Sequence, residues 1–415
     1  MNTDVSEDTP DYAVKTVVTR SGERLPLLVD HRDGQPLFEP TVFAISELRG
    51  RGNASATIDQ ALRAVMVLLY STHWLDVDLN QRMEQGRLLD LGEIEELVRQ
   101  CHRTARAVRQ GLGAKGAKRH SNGKVVLLES DGVTSNTAAI RLHYVTHYLR
   151  WLTTSRRLRI GPKHLLYSGL TESAALALDA LHARMPHGGE SAERLGLDEA
   201  QRQQLRAAVQ VEAEGNPWKR EHARVRNNLA IRWLVDLGLR RGELLSVRVR
   251  DINFQTNEVT IHRRADDAED PRRHQPLTKT RGRLLPLGAE LAKSTFAYIS
   301  KHRRAQGEAK HHDFLFVADK SGAPLSLSAL NDVFVTLRER RTDLPSNLHP
   351  HLLRHTWNDE FSELMDRQNV PPEQEQKIRT RLIGWSLRSK MPARYAQRHV
   401  RRKARRALLD LQERR

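Results

Sequence analysis

The sequence predicts a mainly α protein with a small β-sheet (α+β), in which a helical domain precedes a larger one. Three observations lead there. Apolar residues recur at helical spacing through 57–70, 137–152 and 225–237. The β-like runs are few and short. The 415-residue chain is long enough for two or three domains at ~100–200 residues each, and Pro186-His187-Gly188-Gly189 reads as a flexible break.

The first dozen residues are acidic. Two β-like runs follow, 14–19 and 25–29, separated by Ser21-Gly22, which suggests a hairpin. From about residue 43 the pattern turns helical, with apolar spacing at 57–70 and again at 88–101. The stretch 111–124 is rich in Gly, Lys and Arg and reads as a basic loop. In 137–152, Ile140, Val145, Leu149 and Leu152 supply a core face. After the Pro-Gly break, helical patterns cover 198–211 and 225–237. Runs 258–262 and 283–287 look like strands flanking a polar excursion at 265–274. Helices resume after Ser326 and continue to the end.

Charge narrows the function. The formal net charge is +17 with a pI near 10.3, a balance that favours polyanions, nucleic acid first among them. The basic residues are spread along the whole chain, which disfavours a membrane surface. No apolar run reaches the ~18 residues of a membrane span, and the acidic start is unlike a signal peptide. The single cysteine, Cys101, permits neither an intrachain disulfide nor a cysteine-based zinc site in one chain. A cytoplasmic protein is expected.

Four segments of the C-terminal half carry polar chemistry. In Gly238-Leu239-Arg240-Arg241-Gly242-Glu243, Arg240 and Glu243 lie three apart, so the carboxylate can orient the guanidinium. Alone, the pair also fits a surface ion pair. Lys279 sits in the turn-like Lys279-Thr280-Arg281-Gly282, where it can act as a point-charge donor or simply be solvated. In His349-Pro350-His351-Leu352-Leu353-Arg354-His355-Thr356, the proline suits a first helical turn, leaving His351 and Arg354 at i and i+3. Zinc is not expected there, since the cluster lacks cysteine partners and the Glu of a metalloprotease helix. The fourth segment joins Leu382-Ile383-Gly384-Trp385 to Met391-Pro392-Ala393-Arg394-Tyr395-Ala396; by itself it is compatible with core packing.

In that order, the Arg, Lys, His-x-x-Arg, Trp and Tyr of one basic domain resemble the active-site signature of the tyrosine recombinase (phage integrase) family. Gly238–Leu245 is similar to its first arginine box, and His351–Thr356 to its second. The likeness covers about 197–404. The family most often has histidine where this chain has Trp385. Tyr395 is the only tyrosine after Tyr298.

The resemblance implies a core-binding domain and a catalytic domain, with Tyr395 as nucleophile forming a 3′-phosphotyrosyl intermediate. It implies further that Arg240 and Arg354 bind the phosphate, Lys279 is the general acid, His351 assists proton transfer, Trp385 adds a hydrogen bond and Glu243 holds its neighbours. Expected boundaries are 1–42 for an N-terminal extension, 43–165 for the core-binding domain, 166–196 for a linker or insert, and 197–415 for the catalytic domain with a basic terminal helix. No cofactor or metal is expected. The expected partners are double-stranded DNA, three further copies in a homo-tetramer on paired sites, and accessory recombination proteins. Integrase or transposase of a mobile element is the favoured role. A catalytically inactive DNA-binding descendant and a type IB topoisomerase-like enzyme remain alternatives. An RNA-binding protein lacks support, since no RNA-recognition aromatic motif is found.

Overall fold

The computed structural model describes residues 10–111, 132–186, 196–276, 281–385, 404–405 and 407–413. The chain divides into two compact units, Met1–Ser191 and Ala192–Arg415.

The first unit opens with an antiparallel hairpin, β1 (Tyr12–Val18) and β2 (Arg24–Asp30), in which Tyr12 faces Asp30 and Val18 faces Arg24. Its turn falls where Ser21-Gly22 predicts, and Gly22 has the positive φ such a turn requires. The Tyr12 N–H donates to the Tyr70 hydroxyl at 2.9 Å, tying the hairpin to the helices. These are α1 (Phe38–Val42), α2 (Ser55–Trp74), α3 (Leu79–Glu84), α4 (Leu91–Cys101), α5 (Ala105–Arg109), α6 (Ser135–Ile160) and α7 (Leu166–Ala183). A wider helical turn, Phe43–Arg49, continues α1. Asp90 and Glu93 cap α4 reciprocally, satisfying two N-terminal N–H groups.

The core of this unit is built from Ile58, Leu62, Val65 and Leu68 of α2 against Leu142, Val145 and Leu149 of α6. Phe43 packs edge-on against Tyr148 at 5.2 Å. Cys101 is buried, and burial pushes its thiol up to about 12, so it behaves as a small apolar residue. The span expected as a linker or insert contains α7, whose Leu170, Ala174, Ala177 and Leu181 recur on one face and join the same core. Of the expected basic loop 111–124, residues 112–124 lie outside the described residues, as do 187–189 of the Pro-Gly break.

The second unit begins with α8 (Glu199–Ala208), α9 (Glu221–Asp236) and α10 (Arg241–Ser246). A three-stranded antiparallel sheet follows, in the order β3 (Ile252–Asn253), β4 (Glu258–Ile261), β5 (Arg283–Pro286). The sequence predicts β4 and β5; two-residue β3 is too short to show any alternation. Then come α11 (Ala289–Ala297), α12 (Leu327–Arg340), α13 (Pro350–Arg367) and α14 (Pro372–Ile383). Ser326 caps α12 through the Ala329 N–H, and Pro350 occupies the first turn of α13, where a missing N–H costs nothing.

The core of this unit centres on Trp233, whose indole N–H donates to the Thr295 hydroxyl at 3.0 Å. Leu234, Leu239, Leu244, Phe316, Phe334 and Leu353 pack around it. The polar excursion 265–274 is pinned by charge. Arg272 forks onto Asp270 at 2.8 and 2.9 Å and donates to the carbonyls of Leu245 and Leu325. Among the described residues, no helix is long and apolar enough to cross a membrane.

Candidate active site

The site is organised by the turn between α9 and α10. Gly238 sits at φ +60°, a conformation that favours glycine, and reverses the chain so that Arg240 stands at the start of α10. The Arg240 N–H donates to Glu243 at 3.0 Å, and its guanidinium lies 3.3 Å from the same carboxylate. The i, i+3 pairing expected from the sequence is present. It is not a surface pair, because the Glu243 side chain is fully buried.

A buried carboxylate needs compensation, since stripping its water costs several kcal/mol. Two more guanidiniums provide it. Arg283 of β5 reaches Glu243 at 2.9 Å, and Arg354 of α13 lies 3.6 Å away. Among the described residues, three guanidiniums around one carboxylate leave a local excess of positive charge, the electrostatic condition for binding a phosphate. Arg240 provides the opening: its side chain is 26% exposed, against 1% for Arg354.

Arg354 is placed by α13 and by the Gly238 turn, whose carbonyl accepts its guanidinium at 2.6 Å. One turn earlier, His351 stands at the exposed start of α13, its ring 4.5 Å from that of His355. His351 and Arg354 thus share a helix and differ in exposure.

Trp385 arrives through a left-handed cap. Gly384 ends α14 at φ +72°, and the N–H groups of Gly384 and Trp385 both return to the Thr380 carbonyl. The chain then turns inward, burying Trp385 with Ile383 and Trp357, its ring 6.0 Å from the Arg354 guanidinium. Beside it opens a cleft of about 920 Å3, whose lining includes Arg281, Lys377 and Arg381. Lys279 and Tyr395 lie outside the described residues, as do 399–403, 406 and 414–415 of the expected basic helix at 399–415. Among the described residues, no cluster of His, Cys, Asp or Glu has the grouping of a metal site.

Of the expected site residues, the structure gathers Arg240, Glu243, Arg354 and Trp385 and leaves His351 at the rim. Arg283 is not among the residues expected from the sequence. A signal for it exists there: it alternates in phase with inward-facing Leu285 on a short strand, and a charge on the buried face of a strand demands a partner.

Residues 197–398 match the profile of the phage integrase family. Tyrosine recombinase XerC of Staphylococcus aureus (strain bovine RF122 / ET3-1) is 29% identical over 136 residues, 32% of this chain and 39% of that protein. The match thus spans well under half the length of the relative. Among solved structures, the Tn1549 transposon integrase in complex with transposon right end DNA aligns at TM-score 0.47 and 14% identity, covering 89% of this chain and all of that one. XerA recombinase aligns at TM-score 0.36 and 13% identity, covering 88% and 98%. The family profile covers residues 197–398, just under half of the chain, and that part of the chain belongs to the phage integrase, or tyrosine recombinase, family.

Proposed function

We propose that this protein is a site-specific DNA recombinase that cuts and rejoins strands through a covalent 3′-phosphotyrosyl intermediate. The observation that carries the proposal is the convergence of Arg240 and Arg354 on Glu243 beside Trp385.

In this mechanism the Tyr395 hydroxyl oxygen attacks the scissile phosphorus, and the bond from phosphorus to the 5′ oxygen breaks. The phenolic proton leaves with assistance from His351, while Lys279 delivers a proton to the departing 5′ oxygen. Charge on the non-bridging oxygens is met by Arg240 and Arg354, whose planar forks suit a phosphate, and Trp385 walls the site. Glu243 fixes the arginines. A 5′ hydroxyl of a second strand reverses the steps, so bonds broken and made are equivalent, and neither metal nor nucleotide is called for.

Double-stranded DNA is the proposed partner, bound largely through phosphates by a chain of net charge +17, with four copies assembling on paired sites. Accessory recombination proteins are further proposed partners. We favour an integrase or transposase of a mobile element. The N-terminal segment, the span around 166–198 and the 265–274 excursion read as length beyond a minimal two-domain recombinase, which supports that role.

The test uses plasmids carrying one or two copies of the site recovered by sequencing protein-linked DNA. Deletion or inversion products from the two-site plasmid alone, absent with Tyr395→Phe, are expected. Relaxation of the one-site plasmid without recombinants would point to a topoisomerase-like enzyme. Tight binding with no product from either plasmid would point to an inactive DNA binder.

A further inference from the structure

We infer that Arg283 is a positioning residue: it draws the Glu243 carboxylate to itself and so keeps Arg240 and Arg354 available to a phosphate.

The geometry is asymmetric. Glu243 is fully buried, and its three guanidinium neighbours among the described residues do not share it equally. Arg283 stands at 2.9 Å, Arg240 at 3.3 Å and Arg354 at 3.6 Å. Both terminal nitrogens of Arg283 point at the carboxylate, one at each oxygen, at 2.9 and 3.4 Å. Two parallel N–H···O contacts fix direction as well as distance. Arg354, by contrast, makes its 2.6 Å hydrogen bond to the Gly238 carbonyl rather than to Glu243.

Arg283 is anchored on its other side. Its Nε donates to the Leu382 carbonyl at 2.6 Å, at the end of α14. The adjacent Gly384 leaves room for it: a Cβ at 384 would stand 3.0 Å from the Arg283 guanidinium and 2.9 Å from the Arg281 carbonyl. The Arg281 N–H in turn donates to the Gly384 carbonyl at 3.0 Å. Arg283 therefore ties the carboxylate of α10 to the turn that delivers Trp385. Its guanidinium is engaged by Glu243 on one side and by the Leu382 carbonyl on the other, so it serves the carboxylate rather than a phosphate.

The consequence follows from competition for one anion. A lone carboxylate between two phosphate-binding arginines would pull both inward and neutralise charge that the transition state requires. A third, buried guanidinium takes up that demand. Without Arg283, Glu243 closes on Arg240, the partly exposed member, and the site loses pull on phosphate. A residue that merely supported the fold would have the opposite signature, since loosening the site would expose Arg240.

The test compares wild type, Arg283→Met, Arg283→Lys and the double variant Arg283→Met/Glu243→Gln, each checked for a cooperative thermal transition. Phenylglyoxal, which attacks guanidinium groups, is applied to the full chain without DNA, and modification of the Arg240 peptide is followed by mass spectrometry. Arg283→Met should slow that modification about fivefold, as tighter ion pairing withdraws Arg240. Arg283→Lys, which keeps the charge and loses the fork, should fall between it and wild type. The double variant should restore the wild-type rate or exceed it. Unchanged or faster modification in the folded single variants would overturn the inference; if Arg283→Met does not fold, Arg283→Lys decides it.

A second arm rests on the recombinase function proposed above. On a duplex carrying the recovered site, Arg283→Met should slow covalent cleavage at least about tenfold. The loss should shrink when the scissile group is an uncharged methylphosphonate, which has less need of the arginines. Equal losses on both substrates would contradict an action through Arg240 and Arg354. If wild type cleaves nothing, the recombinase proposal fails by itself, and the phenylglyoxal comparison still decides the role of Arg283.

Discussion

The carbonyl of Gly238 accepts the guanidinium of Arg354 at 2.6 Å across 116 residues of chain, joining the α9–α10 turn to α13. The same glycine lies flat against Trp357, where an added Cβ would stand 2.7 Å from the indole. One residue thus sets the distance between the two arginine-bearing segments.

Gly238→Ala should therefore be costly twice over, through its left-handed backbone and through the collision with Trp357. We expect a loss of about 2–4 kcal/mol in urea unfolding, together with reduced DNA cleavage. Gly34 is the control: its φ is also positive, at +75°, but a Cβ there would meet nothing within 4 Å. Gly34→Ala should cost only about 1–2 kcal/mol and leave cleavage intact. Equal effects at both positions would contradict the packing argument.

Glu243→Ala leaves Arg283 and Arg354 buried without their shared carboxylate. Breaking a buried pair from one side costs about 3–5 kcal/mol, to be read from denaturant midpoints. Glu243→Gln keeps the shape and an acceptor oxygen, so it should cost less stability than Glu243→Ala while still altering cleavage. A stability change within about 0.5 kcal/mol for Glu243→Ala, the effect of an ordinary surface substitution, would show that the carboxylate organises nothing.

His222 gives the second unit a pH dependence. Burial, followed by the Arg226 charge, pushes its imidazole down from the usual 6.5 to about 4, although Asp319 at 3.2 Å opposes the shift. The unfolded chain thus takes up the proton first as pH falls. The associated stability is complete above pH 6.5 and is lost progressively between about 6.5 and 4. Melting curves across that window should flatten in His222→Asn, relative to wild type. An unchanged slope would place the titration elsewhere.

DNA affinity should fall steeply with salt. If about six to ten phosphates are neutralised, raising salt from 50 to 200 mM weakens binding about 10^3–10^5-fold, measurable by fluorescence anisotropy on a duplex. A nearly flat salt dependence would contradict backbone-dominated binding by this basic chain.

Much of this architecture is legible in the sequence, for local reasons. The hairpin announces itself through Ser21-Gly22, α13 through Pro350, and the Arg240–Glu243 pair through a three-residue spacing. What escapes depends on distant contacts. Arg283 meets Glu243 across 40 residues, and nothing near Arg283 names its partner. The span 166–196 reads as a linker or insert; α7 there presents Ala174 and Ala177 to the core, and small residues leave a faint apolar stripe. The burial of Arg354 beside an exposed His351 is equally hidden, because i, i+3 spacing fixes a helix face and not what covers it.

The most direct measurement is to incubate wild type and Tyr395→Phe with DNA, isolate protein-linked strands under denaturing conditions, and sequence their ends. Adducts on 3′ ends at a few defined positions, formed by wild type and absent with Tyr395→Phe, are the predicted result. Adducts that persist in Tyr395→Phe, or that sit on 5′ ends, would contradict the assignment of Tyr395 as the nucleophile.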